Sequence, residues 1–324
     1  MKESGPLPVS LSDIETAAGR IAPFVKLTPV FTSQRLDLLL GAEIFFKCEN
    51  FQRVGTFKAR GAHNAVFALD DAAAAHGVVT HSSGNHAAAL SLAARNRGIP
   101  ACIVMPSNAP RTKVESVLRL GGEIRFCEPN IQAREAAAAS IVAERGAALI
   151  HPYDNLDVIA GQGTAMAEFI AQVPGLEAIL APVGGGGLMA GTAIAARGLK
   201  PGIRIIATEP EQADDAFRSW SQGKLITGGM PNTIADGLRT TLGSNGYTVM
   251  RALLDEFATV SEDAIIQATR LVWEVLKIII EPSSAVPVAA LLEGKVNLAD
   301  RKVGIILSGG NVDLDWLPWQ PAQP

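Results

Sequence analysis

Lys58 stands in the run Gly55-Thr56-Phe57-Lys58-Ala59-Arg60-Gly61-Ala62, behind a glycine turn and at the head of a helical stretch. Most lysines in such runs are solvated cations. A desolvated one turns nucleophilic and can form a Schiff base with a carbonyl, and Phe57 is placed to help exclude water. Three turns elsewhere offer binding groups to go with it. Gly184 to Gly187 separate a strand from a helix. Glycines let backbone N–H groups approach an anion closely, and the helix N-terminus adds a favourable field, so phosphate is the natural ligand. Two other readings compete: a flexible turn, and a dinucleotide fold in which Glu209, about 20 residues on, takes a ribose. The glycine spacing is not a clean G-x-G-x-x-G, which weakens the second. Ser82-Ser83-Gly84-Asn85-His86 could hold a carboxylate at a helix start or simply cap that helix, and these residues alone favour neither. Ser308-Gly309-Gly310-Asn311 follows a strand, at the end where open parallel sheets bind ligands.

Two further groups have ordinary readings. The run Glu209 to Asp215 is either a solvated acidic loop or an oxygen-lined site for a hard cation. The histidines His63, His76, His81, His86 and His151 lack metal-binding spacing. They read as structural, with His86 the exception because of its turn.

Bulk properties remove several classes of function. A net charge of -4 gives no reason to expect nucleic acid or an acidic membrane surface as partner. The apolar runs are broken by charge and too short to span a bilayer. The start Met1-Lys2-Glu3-Ser4 does not read as a signal peptide. Three cysteines without metal-like spacing point to a reducing, cytoplasmic setting.

The elements that must position these residues alternate. Strands are expected at 42–47, 78–80, 101–105, 123–126, 148–150, 178–182, 203–208 and 303–307. Helices are expected between them, the first from a capping box of Ser12 and Glu15. Such alternation predicts an α/β protein with parallel sheets covered on both faces. Residues 77–150 form a compact block of strand–helix units. They are expected to be a small domain inserted into a larger one (1–67 and 151–324), with the active site in the cleft between these two open-sheet domains.

Taken together, from about Thr28 to Asp313, these stretches resemble the serine/threonine dehydratase and serine racemase family, fold type II enzymes dependent on pyridoxal 5'-phosphate. The family's lysine motif normally has Ser where this chain has Thr56. The resemblance implies that Lys58 carries the cofactor and then acts as base on the substrate α-carbon. Phe57 would pack on the cofactor ring, Asn85 would meet its hydroxyl, Gly184, Gly185, Gly186 and Gly187 would bind the phosphate, and Ser308 would face the ring nitrogen. Ser82, Asn85 and His86 would hold the substrate carboxylate, with Ser83 opposite Lys58 as the second base of a racemase. Glu209, Asp215 and the Ala213 carbonyl would hold Mg²⁺ or a similar ion, and a homodimer is the family's expected state.

The implied reaction converts a 3-hydroxy amino acid to an oxo acid and ammonia, with racemisation as the alternative and a nicotinamide-dependent oxidoreductase as the rival from another class. Tyr153 stands where racemases of the family tend to carry Asn, which favours elimination. Thr240 replaces a serine that touches substrate. Arg134 matches an arginine able to bind a second carboxylate, so 3-hydroxyaspartate joins serine, threonine and phenylserine as a candidate substrate. Isoleucine feedback through a C-terminal regulatory domain is not expected.

Overall fold

The computed structural model describes residues 6–228, 231–315 and 317–319. Ten strands form two sheets: β1 Val30–Thr32, β2 Glu43–Cys48, β3 Val78–His81, β4 Ala101–Pro106, β5 Glu123–Cys127, β6 Ala148–Leu149, β7 Ala178–Pro182, β8 Arg204–Pro210, β9 Glu256–Val260 and β10 Lys302–Leu307. The larger sheet runs β1-β2-β10-β7-β8-β9 and the smaller β5-β4-β3-β6. Every pairing is parallel except β1 with β2. That exception follows from chain length, since residues 33–42 fall short of the roughly dozen that a parallel crossover takes. The central strands are buried almost end to end, β7 entirely and β10 from Val303 onward, as expected of a parallel sheet covered on both faces. One core packs Ile44, Phe46 and Ile305 beneath the helix Pro282–Leu292, and another packs Ile179, Ile205 and Ile306 beneath Leu156–Gln172 and Gly187–Leu199.

The alternation predicted from sequence is present, with some elements displaced or missed. The first helix is Leu11–Ile21, and its capping box is Ser10 with Asp13 rather than Ser12 with Glu15. Both pairs fit the motif. Starting earlier brings Leu11 into the helix, where it packs close over Gly198. The helix expected from Gly161 begins at Leu156, capped by the Asn155 side chain. Edge strand β9 and the helices Gln34–Leu40 and Ser244–Leu253 were not expected.

Pairing of β10 beside β2 sets the position of Lys58. After β2 the chain turns through Val54 and Gly55, both at positive φ. It then pairs Thr56 with Gly309. Phe57 N–H donates to the Ser308 carbonyl at 3.0 Å, and Gly310 N–H to the Gly55 carbonyl at 2.9 Å. The lysine turn and the serine turn, 250 positions apart in sequence, are thus stitched into one strand-end structure.

The helix Lys58–Ala68 then leaves this point, tied down by Arg60. Its fully buried guanidinium donates to both oxygens of Glu49, at 2.7 and 2.8 Å, and to both of Glu168, at 2.8 and 2.7 Å. Lys47 joins Glu168 at 2.8 Å. Pairing of this kind is what makes buried charge tolerable.

A lysine cleft with a glycine cradle

One cleft of about 820 Å³ receives the C-terminal ends of strands from both sheets. Its wall includes Phe57, Lys58, Ser82, Ser83, Asn85 and His86 from the two strand-to-helix turns. Arg134, Tyr153, Thr240 and Ser308 join them, with Gly184 to Gly187 along one side. Every residue expected to touch cofactor or substrate is therefore part of one surface. Glu209, Ala213 and Asp215 are not part of it.

Lys58 is half-buried. Its Nζ donates to the Pro152 carbonyl at 2.8 Å and lies 5.1 Å from the centre of the Phe57 ring. Desolvation lowers its pKa to about 8, against a smaller opposing pull from the Glu281 carboxylate. Burial acts this way on any lysine because it penalises the charged form. A substantial neutral fraction near neutral pH is what a nucleophilic amine requires.

The four glycines are buried and lead into the helix Gly187–Leu199. A Cβ on Gly185 would lie 2.2 Å from the Tyr153 ring, and Gly186 sits at φ +87. Side chains are excluded here, and the backbone itself forms the wall at a helix N-terminus, the arrangement that suits a phosphate. Gly185→Ala is expected to weaken pyridoxal phosphate binding by about tenfold or more, the scale of an overpacked site. Fluorescence titration of the cofactor-free protein checks this, and an unchanged Kd would contradict it.

Residues that line the same space carry polar groups without partners. Both ring nitrogens of His86, Nε of Arg134 and the Thr240 hydroxyl are buried and make no hydrogen bond among the described residues. Desolvation holds His86 neutral, well below the usual histidine range, and the nearby Lys58 charge adds to this. His151, whose Nδ1 accepts the Asp154 N–H at 3.0 Å, is lowered to about 4 by burial and by His81. Asn85, also in the cleft wall, is held by two other side chains. Its amide donates to both Glu281 oxygens at 3.0 Å and accepts from Asn311 at 2.8 Å.

Glu281 was missed in sequence. It precedes Pro282 and reads as an ordinary helix start, yet its carboxylate borders the cleft and also accepts the Asn311 N–H at 3.2 Å. Burial chiefly, with Asp236 adding, raises its pKa to about 7.

The acidic run is neither a solvated loop nor a ready metal cage. Glu209 is buried and accepts N–H groups from Ala216 and Phe217, at 3.3 and 2.8 Å. Asp215 accepts the Leu242 N–H at 2.8 Å. Among the described residues no cluster of three or more His, Cys, Asp or Glu side chains could hold a metal ion. Glu209 turned onto a helix start is also unavailable as the ribose-binding acid of a dinucleotide fold.

Two α/β units with parallel sheets, a desolvated lysine in the cleft and a side-chain-free anion cradle define an enzyme that carries a phosphorylated carbonyl cofactor. The family match agrees: residues 21–309 match the pyridoxal-phosphate dependent enzyme family, and the chain belongs to it.

Its relatives narrow the comparison. It is 50% identical over 307 residues to a beta-hydroxyaspartate dehydratase of Paracoccus denitrificans, covering 95% of this chain and 98% of that protein. It is 48% identical to a serine racemase of Oryza sativa subsp. indica, covering 98% of this chain and 95% of that protein. The solved structure of maize serine racemase superposes with a TM-score of 0.93 at 49% identity, over 95% of each chain.

Proposed function

We propose that this protein is a pyridoxal-phosphate-dependent ammonia-lyase whose preferred substrate is a dicarboxylic 3-hydroxy amino acid, 3-hydroxyaspartate. One observation carries the choice: Arg134 is a cation in the cleft wall with a buried Nε and no hydrogen-bonded carboxylate among the described residues. A second substrate carboxylate is the group that would satisfy it, and arginine suits carboxylates geometrically. The half-identical dehydratase of a hydroxylated aspartate supports the same reading.

Bound pyridoxal phosphate supplies an electron sink for negative charge at the substrate α-carbon. The chain's residues do the rest. Lys58 would hold the cofactor through its amine and, with substrate bound, would take the α-proton. His86 and the Ser82 turn hold the α-carboxylate, Arg134 holds the distal one, and Phe57 and Tyr153 keep water from the reacting atoms. The β-hydroxyl then leaves, and hydrolysis yields oxaloacetate and ammonia. The test is a panel of 3-hydroxyaspartate, serine, threonine and phenylserine. 3-Hydroxyaspartate is expected to give the highest kcat/KM for oxo-acid formation, and a higher value for serine would refute the assignment.

Ser83 favours a second activity. It lines the cleft with Lys58 and can act as a racemase's opposite base. If racemisation of L-serine persists undiminished in Ser83→Ala, that role is wrong.

Mg²⁺ or a similar cation is proposed at Glu209, Asp215 and the Ala213 carbonyl. Desolvation and the neighbouring Asp215 raise the pKa of Glu209 well above the usual range, and burial chiefly raises Asp215 to about 6. A carboxyl with a raised folded-state pKa favours the fold at acid pH, and this contribution is lost as pH rises through about 6. A bound cation offsets that loss. Mg²⁺ is therefore expected to raise Tm at pH 8 and not at pH 5, and not in Asp215→Asn. An equal shift at both pH values would contradict the site. A small domain of residues 77–150 inserted into a large one of 1–67 and 151–324, and a homodimeric state, are proposed with it.

A further inference from the structure

Ser284 is fully buried at the start of the helix Pro282–Leu292, directly behind the serine turn. Its hydroxyl accepts the Gly309 N–H at 2.7 Å, and it lies 2.7 Å from the Gly309 carbonyl and 3.0 Å from the Ser308 hydroxyl. A serine hydroxyl has one proton and two lone pairs. A carbonyl cannot donate, so the contact with the Gly309 carbonyl uses the Ser284 proton. The Gly309 N–H takes one lone pair. Only an acceptor site remains for Ser308, which must be the donor of that pair. Among the described residues the Ser308 hydroxyl has no other hydrogen-bond partner.

We propose that Ser284 is a positioning residue that draws the Ser308 proton away from the cleft, limits hydrogen bonding to the cofactor's ring nitrogen, and so biases the reaction toward elimination. The inference rests on the reading above, in which Ser308 meets that nitrogen. A ring nitrogen that receives a weaker hydrogen bond is a poorer electron sink. Negative charge at the α-carbon is then held less well, and loss of the β-hydroxyl gains over return of a proton to that carbon. Ser284→Ala frees the Ser308 proton for the ring.

The test loads wild type, Ser284→Ala and Ser308→Ala with cofactor labelled with ¹⁵N in the ring and reads the nitrogen resonance. In parallel, recovered substrate from reactions in D₂O is assayed for deuterium at the α-carbon. In Ser284→Ala the resonance is expected to move upfield, toward a more strongly hydrogen-bonded nitrogen. Deuterium incorporated per oxo acid formed is expected to rise about three- to tenfold, the size of one neutral hydrogen bond. Should Ser284→Ala not fold, Ser284→Cys, with a weaker donor and acceptor, is expected to shift both readouts the same way by less. A resonance that stays put in folded Ser284 variants while Ser308→Ala moves it overturns the role of Ser284. A resonance unmoved even by Ser308→Ala overturns the placement of Ser308 on which the inference rests.

Discussion

Replacing Lys58 by alanine is expected to lower kcat for oxo-acid formation by about 10⁴-fold or more, with the fold intact. General-base catalysis alone contributes up to about 10⁴-fold, and the covalent role adds to it. Among the described residues the cleft lining holds one lysine besides Lys58. Lys113 also lines the cleft, but its amine is paired with Asp236 at 2.7 Å and is more than a third exposed. Lys58 has no such carboxylate partner, and desolvation lowers it to about 8. Circular dichroism separates lost chemistry from lost fold. Partial recovery with added methylamine would show that what is missing is an amine at this position. Activity within tenfold of wild type would contradict the assignment.

The second large effect concerns substrate choice. Arg134→Met is expected to reduce kcat/KM for 3-hydroxyaspartate by about 10- to 100-fold, the scale of a hydrogen bond to a charged group. Values for serine and threonine should stay within about threefold, because neither carries a second carboxylate for Arg134 to meet. The side chain is half-buried and makes no ion pair among the described residues. Removing it leaves no buried carboxylate unpaired, so the fold should tolerate the change. Equal losses on all substrates would mean that Arg134 shapes the cleft rather than reading the substrate.

Much of the cleft was legible in the sequence because its parts are local. Lys58, the glycines at 184–187, the Ser82 turn and the Ser308 turn each follow a strand, and in a parallel sheet strand ends converge. What could not be read is what depends on residues meeting across the chain. Arg60 finds Glu168, 108 positions away, and Glu281 meets Asn85 from 196 positions away; neither has a local pattern. The first capping box lies two residues earlier than expected, and the longer helix brings Leu11 against Gly198, a contact 187 positions away in sequence that no local motif records. The acidic run shows the same dependence. In sequence it is a set of oxygen donors after a strand, and only the fold brings the Ala216 and Phe217 N–H groups onto Glu209.

Ser284 shows the finest grain of this dependence. As sequence it is one of two serines after a proline, unremarkable at a helix start. In the fold its single proton is committed to the Gly309 carbonyl, which leaves Ser308 to donate to it. The proposed partition between elimination and proton return thus rests on a proton count that needs both turns in place.

We propose above all that Lys58 carries the cofactor. The most direct test is to mix the protein with pyridoxal phosphate, reduce with borohydride, digest, and locate the added mass. One modification per chain is expected, on the peptide containing Lys58, which follows Phe57 and precedes Ala59. Stoichiometric modification at any other lysine, or none at all in a folded protein, would contradict it.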